Sequence, residues 1–185
     1  MKQIGLAVHM MLDMHERFPA AVCSSPENSS AQFSPFVLLL PYMEQSQLFD
    51  SYDFRRAWDD SVNRPVTDAV IATLVCPSAP GDRTAISDYA PCSDLWKEGL
   101  VDTILIPGNM VNECEDWTGI FVYEQECPAQ DVTDGLSNTY LMFEDAGRPF
   151  EYKLGRPTSN TNVSGSRWAD WALDFGINDY CGRIW

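Results

Sequence analysis

Histidine is scarce in this chain: only His9 and His15 occur, both within the first fifteen residues. Hydrolases, metal enzymes and proton shuttles commonly recruit at least one histidine. These two stand six residues apart on a segment that reads as helix, so they point to different sides. They cannot share a metal as an i, i+4 pair would. Positive charge is scarce as well, with 12 Lys and Arg against 27 Asp and Glu and a formal net charge of −15. Nucleic acid and anionic lipid surfaces both need clustered Lys and Arg, and both are excluded as partners on that ground. There is no run of about twenty apolar residues, the length needed to span a bilayer. There is no C-x2-C zinc pair and no glycine-rich phosphate loop. No G-x-S-x-G nucleophile elbow occurs, and Gly165-Ser166, the nearest approach, lies in a polar stretch. The sequence therefore predicts no catalytic site and no bound cofactor.

What is present is enough for a core. A chain of 185 residues with 45% hydrophobic content should bury roughly 70% of its unfolded surface. The expectation is one domain over residues 1–185. In residues 1–18, Ile4, Ala7, Val8, Met11 and Met14 recur at three- and four-residue steps and make an apolar helical stripe. Pro19 is the expected stop, having no N–H to donate. No Ser, Thr, Asp or Asn cap precedes Lys2, so this segment reads as the C-terminal half of a longer helix. Residues 20–34 read as a loop. Residues 35–40 read as a short buried strand or extended entry. A second helix is expected from Pro41, with Met43, Leu48 and Phe49 inward. Asn63 and Pro65 look like a helix cap and first turn, followed by Val66, Ala69, Val70, Thr73 and Leu74 at helical spacing. Later, β-branched and aromatic runs at 103–106, 118–123 and 139–143 predict strands, while 151–166 reads as a mobile surface loop. Helices first and antiparallel strands later predict an α+β fold.

Six cysteines, Cys23, Cys76, Cys92, Cys114, Cys127 and Cys181, suit structural disulfides of an oxidising compartment. The preferred pairs are Cys76 with Cys92 and Cys114 with Cys127, each closing a loop of about fifteen residues worth roughly 3 kcal/mol. Asp131, Asp134, Asn138 and Glu144 form the best oxygen-ligand cluster. They could hold calcium, although Asp134 and Asn138 are also residues that make turns. Trp168, Trp171 and Phe175, near Asp170 and Asp174, form an aromatic stripe. Such a stripe serves a core or a subunit interface, or stacks on a sugar.

Several blocks also resemble, in order, those of DUF1559 proteins, a prepilin-like family abundant in planctomycete bacteria. They are Lys2-Gln3-Ile4-Gly5-Leu6-Ala7 with Arg17-Phe18-Pro19; Leu39-Leu40-Pro41-Tyr42-Met43-Glu44-Gln45; Val75-Cys76-Pro77-Ser78; Ser87-Asp88-Tyr89-Ala90; Asp134-Gly135-Leu136-Ser137-Asn138-Thr139 with Glu144; and Trp168-Ala169-Asp170. The resemblance implies a pilin-like plan: an N-terminal α-helix on a small antiparallel β-sheet, with additional short helices and long loops. It implies a non-catalytic structural subunit, extracytoplasmic (periplasm, cell envelope or cell surface), linked to pseudopilin or type II secretion assembly. Its partners would be other pilin-like subunits, met through the N-terminal helix of the full-length protein. Membrane contact would come only through an apolar helix upstream of Lys2. The family's C-terminal histidine-containing segment is not found here, so the chain is expected to be part of a longer ectodomain. The acidic charge predicts a mostly monomeric domain for these residues alone. The rival expectation is a secreted or envelope binding module that recognises glycan or protein through surface aromatics.

Overall fold

The computed structural model describes residues 1–79, 83–95, 97–115, 117–153 and 155–177. Helix α1 (Lys2–His15) opens the chain and ends at Glu16, whose left-handed backbone (φ 58°) turns its N–H back to Leu12 O at 2.8 Å. The stop thus comes three residues before Pro19. Ile4, Ala7, Val8, Met11 and Leu12 form the buried face of α1, the four larger ones each worth roughly 1.5–3 kcal/mol of transfer free energy when fully covered. Met14, which the spacing put on the same stripe, is 72% exposed.

Two short strands follow, β1 (Arg17–Phe18) and β2 (Cys23–Ser24), and then β3 (Gln32–Phe33), which pairs antiparallel with β2. Residues 35–39 are helix α2 (Pro35–Leu39) rather than the predicted strand. Ser34 Oγ accepts the Phe36 N–H at 3.1 Å and Pro35 occupies the first turn, a start signal that overrides the strand-like apolar run. The helix expected from Pro41 is divided. A 3-10 turn, Leu40–Met43, ends at left-handed Glu44, and α3 (Ser46–Ser51) starts afresh. After α4 (Arg64–Thr67) the helix expected through residue 74 breaks too, resuming only as a 3-10 turn at Ala72–Leu74.

Strand β4 (Tyr89–Leu95) is the longest among the described residues. Beyond it, Lys97–Leu105 is a π-helical segment rather than the strand expected at 103–106. Val101 is fully buried, and its carbonyl accepts the Ile106 N–H at 3.0 Å. The remaining strands are β5 (Cys127–Pro128), β6 (Met142–Glu144), β7 (Tyr152–Lys153), β8 (Arg156–Pro157) and β9 (Phe175–Ile177). β4 is the centre of a β6-β4-β9 sheet, antiparallel to β6 with Tyr89 opposite Glu144, and parallel to β9 with Cys92 opposite Phe175. β1 pairs antiparallel with β5, and β7 with β8; the latter hairpin lies within the stretch read as a mobile loop.

The architecture is α+β, with an N-terminal helix, short helices and several small antiparallel pairings. α1 lies against the Leu40–Met43 turn and β1, with α2 and the Ala72–Leu74 turn beside it. A hydrophobic cluster runs from Ile4 through Phe36, Leu39 and Leu74 to Trp168 and Leu173. Among the described residues no helix is long and apolar enough to cross a membrane.

Candidate functional site

The structure divides the predicted calcium ligands between two places. Asp131 closes a 3-10 turn after β5, and Asp134 stands in the next turn. Both line an open cavity of about 500 Å³ with Thr118, Ile120, Glu126 and Cys127. Glu144 instead belongs to β6, opposite Tyr89, and Asn138 spends its amide on Asp134 O at 2.9 Å. The turn residues satisfy their own backbone, so the four are not gathered into one ligand set. Among the described residues no three His, Cys, Asp or Glu side chains form a metal-ligand group.

Neither preferred disulfide is formed: Cys23, Cys76, Cys92 and Cys127 are free thiols. The Cys76 N–H is held at 2.7 Å by the Asp88 carboxylate, while Cys92 lies four residues further along β4. At strand rise Cys92 is about 13 Å from Asp88, which carries it away from Cys76, whereas a bridge needs its Cα atoms within about 7 Å. Cys127 faces Phe18 across the β1–β5 pairing, whereas Cys114 sits in an exposed stretch ahead of the bridge between Thr118 and Asp94. Cys181 lies outside the described residues. Burial, and secondarily Glu126, pushes the Cys23 thiol up to about 12. Cys127 is also raised, by burial and then by Asp131. Such thiols behave as small hydrophobic groups rather than nucleophiles. His9 is exposed on α1, and His15 Nε2 meets the Tyr42 hydroxyl at 3.1 Å. Neither histidine lines the acidic cavity.

A buried polar centre to which the sequence assigned no role lies at Asp88. Asp88 and Arg83 are both buried, and the carboxylate accepts from Arg83 Nη1 at 2.5 Å and Nη2 at 3.0 Å. It also takes the N–H groups of Cys76 (2.7 Å) and Gly147 (3.0 Å). Arg83 Nη1 further donates to Arg148 O at 3.1 Å, and Arg148 pairs with Asp145 and reaches Gly165 O. Asp88 thus ties Cys76, Arg83, Asp145 and Gly147 together, and Arg148 extends the network to Gly165. A buried carboxylate with every oxygen committed is a brace, and none of its lone pairs faces a cavity.

A second place, of which the sequence marks only Asp170 and Trp171, is a cleft of about 410 Å³ lined by Gln32, Trp58, Asp59, Asp170 and Trp171. The predicted aromatic stripe is split here. Trp168 is fully buried and donates Nε1–H to Ala69 O at 2.9 Å; Trp171 is 38% exposed; Phe175 tilts against Phe143. A lone Trp inside the polar stretch 53–63 was the available signal for Trp58.

A third feature lies on α1. Leu6, Met10 and Met14 are 60%, 45% and 72% exposed, and at four-residue steps they form a second apolar stripe alongside the buried one. No curated protein and no solved structure matches the chain. The family model described as protein of unknown function (DUF1559), SBP_bac_10, matches residues 1–176, and the chain belongs to that family.

Proposed function

We propose that this chain is a non-catalytic structural subunit, the extracytoplasmic part of a pilin- or pseudopilin-like protein that assembles with further copies through α1. The observation that carries the reading is the exposed stripe of Leu6, Met10 and Met14. An amphipathic helix needs one apolar face for its own core; a second leaves apolar surface for a neighbour. Charge favours another copy at that face. Within residues 1–18, Lys2 and Arg17 balance Asp13 and Glu16, so the net −15 resides entirely on residues 19–185. Two copies repel through their bodies and can meet through the neutral helix. The order of the family blocks supports the assignment to the envelope and to filament or secretion assembly.

Sedimentation equilibrium tests the reading. At about 20 mM salt, where the Debye length exceeds 20 Å, the chain should be monomeric. At about 500 mM salt the body charges are screened, and weak concentration-dependent association should appear. Leu6→Gln with Met14→Gln should remove it without changing the folded signal. A chain that stays monomeric at high salt, or whose association survives both substitutions, would overturn the proposal.

A further inference from the structure

We infer that the cleft between Trp58 and Trp171 is a binding site for a neutral saccharide. It shares no residue with the α1 stripe, so it stands independently of the subunit reading.

Both walls are held rigid from behind. Trp58 and Asp59 sit in the 53–63 loop, which the fully buried Asn63 clamps: its amide donates to Asp53 O (3.0 Å), Arg56 O (3.2 Å) and Ala57 O (3.0 Å). Its carbonyl oxygen accepts the Asp53 N–H at 2.9 Å. Arg167 lies over the Trp58 ring, 5.7 Å from its centroid, fixed by Thr67 O at 3.1 Å and by Asp68. The opposite wall is the segment 168–173. Trp168, Ala169 and Leu173 are fully buried anchors on either side of Trp171. Asp170 takes the Ala172 N–H at 3.0 Å and the Gly165 N–H at 3.1 Å. An indole kept partly in water between three core anchors does not serve the core.

The chemistry of the lining selects the ligand. Indole faces pack against the C–H face of a sugar ring while the polar edge stays available. Each Asp170 oxygen holds one backbone N–H and keeps a further lone pair for a hydroxyl donor. The Asp59 carboxylate is exposed and pairs with no cation among the described residues. Gln32 donates its amide N–H to Glu124 at 2.8 Å, which presents the carbonyl oxygen of that amide as a further acceptor. An acceptor-rich site suits a ligand rich in O–H donors and repels a carboxylated or sulfated one. The volume falls within the range of about 300–1,000 Å³ typical of small-ligand pockets and suits one or two sugar rings.

Isothermal titration of the whole chain with cellobiose, with N,N′-diacetylchitobiose and with 3′-sialyllactose tests the inference. At least one neutral disaccharide should bind saturably with Kd on the order of 1 mM. Trp171→Ala should weaken it about tenfold or more, and Asp59→Asn severalfold. Both residues are on the surface, and circular dichroism confirms that the variants fold. Absence of saturable heat up to about 20 mM of both neutral sugars, a span that covers millimolar affinity, would overturn the inference. So would unchanged affinity in both variants, or tighter binding of the anionic sugar.

Discussion

Replacing Asp88 by Asn keeps the shape of the side chain and removes its charge, and the structure sets how much that should cost. Asp88 accepts four hydrogen bonds, two from Arg83 and one each from the Cys76 and Gly147 N–H groups. An amide has one acceptor oxygen and an NH2 that would meet donors head on. The Arg83 guanidinium, 2% exposed, would be left buried with the Arg148 carbonyl at 3.1 Å as its principal partner. Breaking a buried pair by removing one charge costs about 3–5 kcal/mol. At about 2–4 °C per kcal/mol for a chain of this size, the melting temperature should fall by about 6–20 °C. Arg83→Met should cost less, about 1–3 kcal/mol, because the carboxylate keeps two backbone donors. Arg83→Met combined with Asp88→Asn should be milder than Asp88→Asn alone, since no uncompensated charge remains. Thermal and urea unfolding followed by circular dichroism, at low and high salt, is the assay; a buried pair should be nearly salt-insensitive. An Asp88→Asn shift below about 3 °C, under half the lower bound, would refute the reasoning, as would Arg83→Met proving the more damaging single change.

Asn63→Ala should destabilise by about 2–3 kcal/mol, read by urea midpoint, because it orphans the Asp53 N–H and three loop carbonyls. The Cys23 thiol, held protonated up to about 12 against an ordinary 9.0, fixes a sign for alkaline stability. Its contribution is full below the unfolded value and is lost as pH rises from there through about 12, since only the unfolded thiol ionises in that window. Unfolding free energy measured between pH 8 and about 11 should therefore fall more steeply in the native chain than in Cys23→Ala. Millimolar calcium should leave the melting temperature within about 1 °C, because Glu144 is on β6 away from the cavity that Asp131 and Asp134 line; a larger rise would show that the turn residues do collect an ion.

The α1 face was legible because helical spacing is a local signal: Ile4, Val8 and Met11 are buried as the pattern requires. Met14 was not, because spacing cannot say how wide a stripe the core covers, and the core closes before the last turn. Residues 35–40 were misread because a short apolar run fits strand or helix equally well; Ser34 and Pro35 were the deciding signals and are read only as a pair. Asn63 was read as a cap from its place before Pro65, yet its amide closes a loop ten residues long, a contact with no local signature. The strand expected at 103–106 lost to burial of Val101, a tertiary effect. The Cys76–Cys92 pairing is absent for a similar reason: loop length bears on the entropy of a bridge, but it cannot show that β4 carries Cys92 away from the point where Asp88 holds Cys76.

The Asp88 brace changes how the family blocks are to be understood. Polar residues in recurring blocks invite a catalytic reading, and Asp88 with Arg83 would be the natural pair to choose. Their geometry argues otherwise, since every carboxylate oxygen is committed to protein donors and both side chains are sealed from solvent. Three of the ordered blocks meet in this neighbourhood. Cys76 belongs to the first, Asp88 and Tyr89 to the second, and Glu144, opposite Tyr89, to the third. Strands of two or three residues make few ladder bonds, and a fold built from them needs stabilisation between its segments. A buried charged pair whose carboxylate also takes two backbone N–H groups supplies that stabilisation and rejects alternative packings that would strand its charge. The surface is thereby released from holding the fold together. That is where the α1 stripe and the Trp58 and Trp171 cleft lie, and where recognition has to be sought.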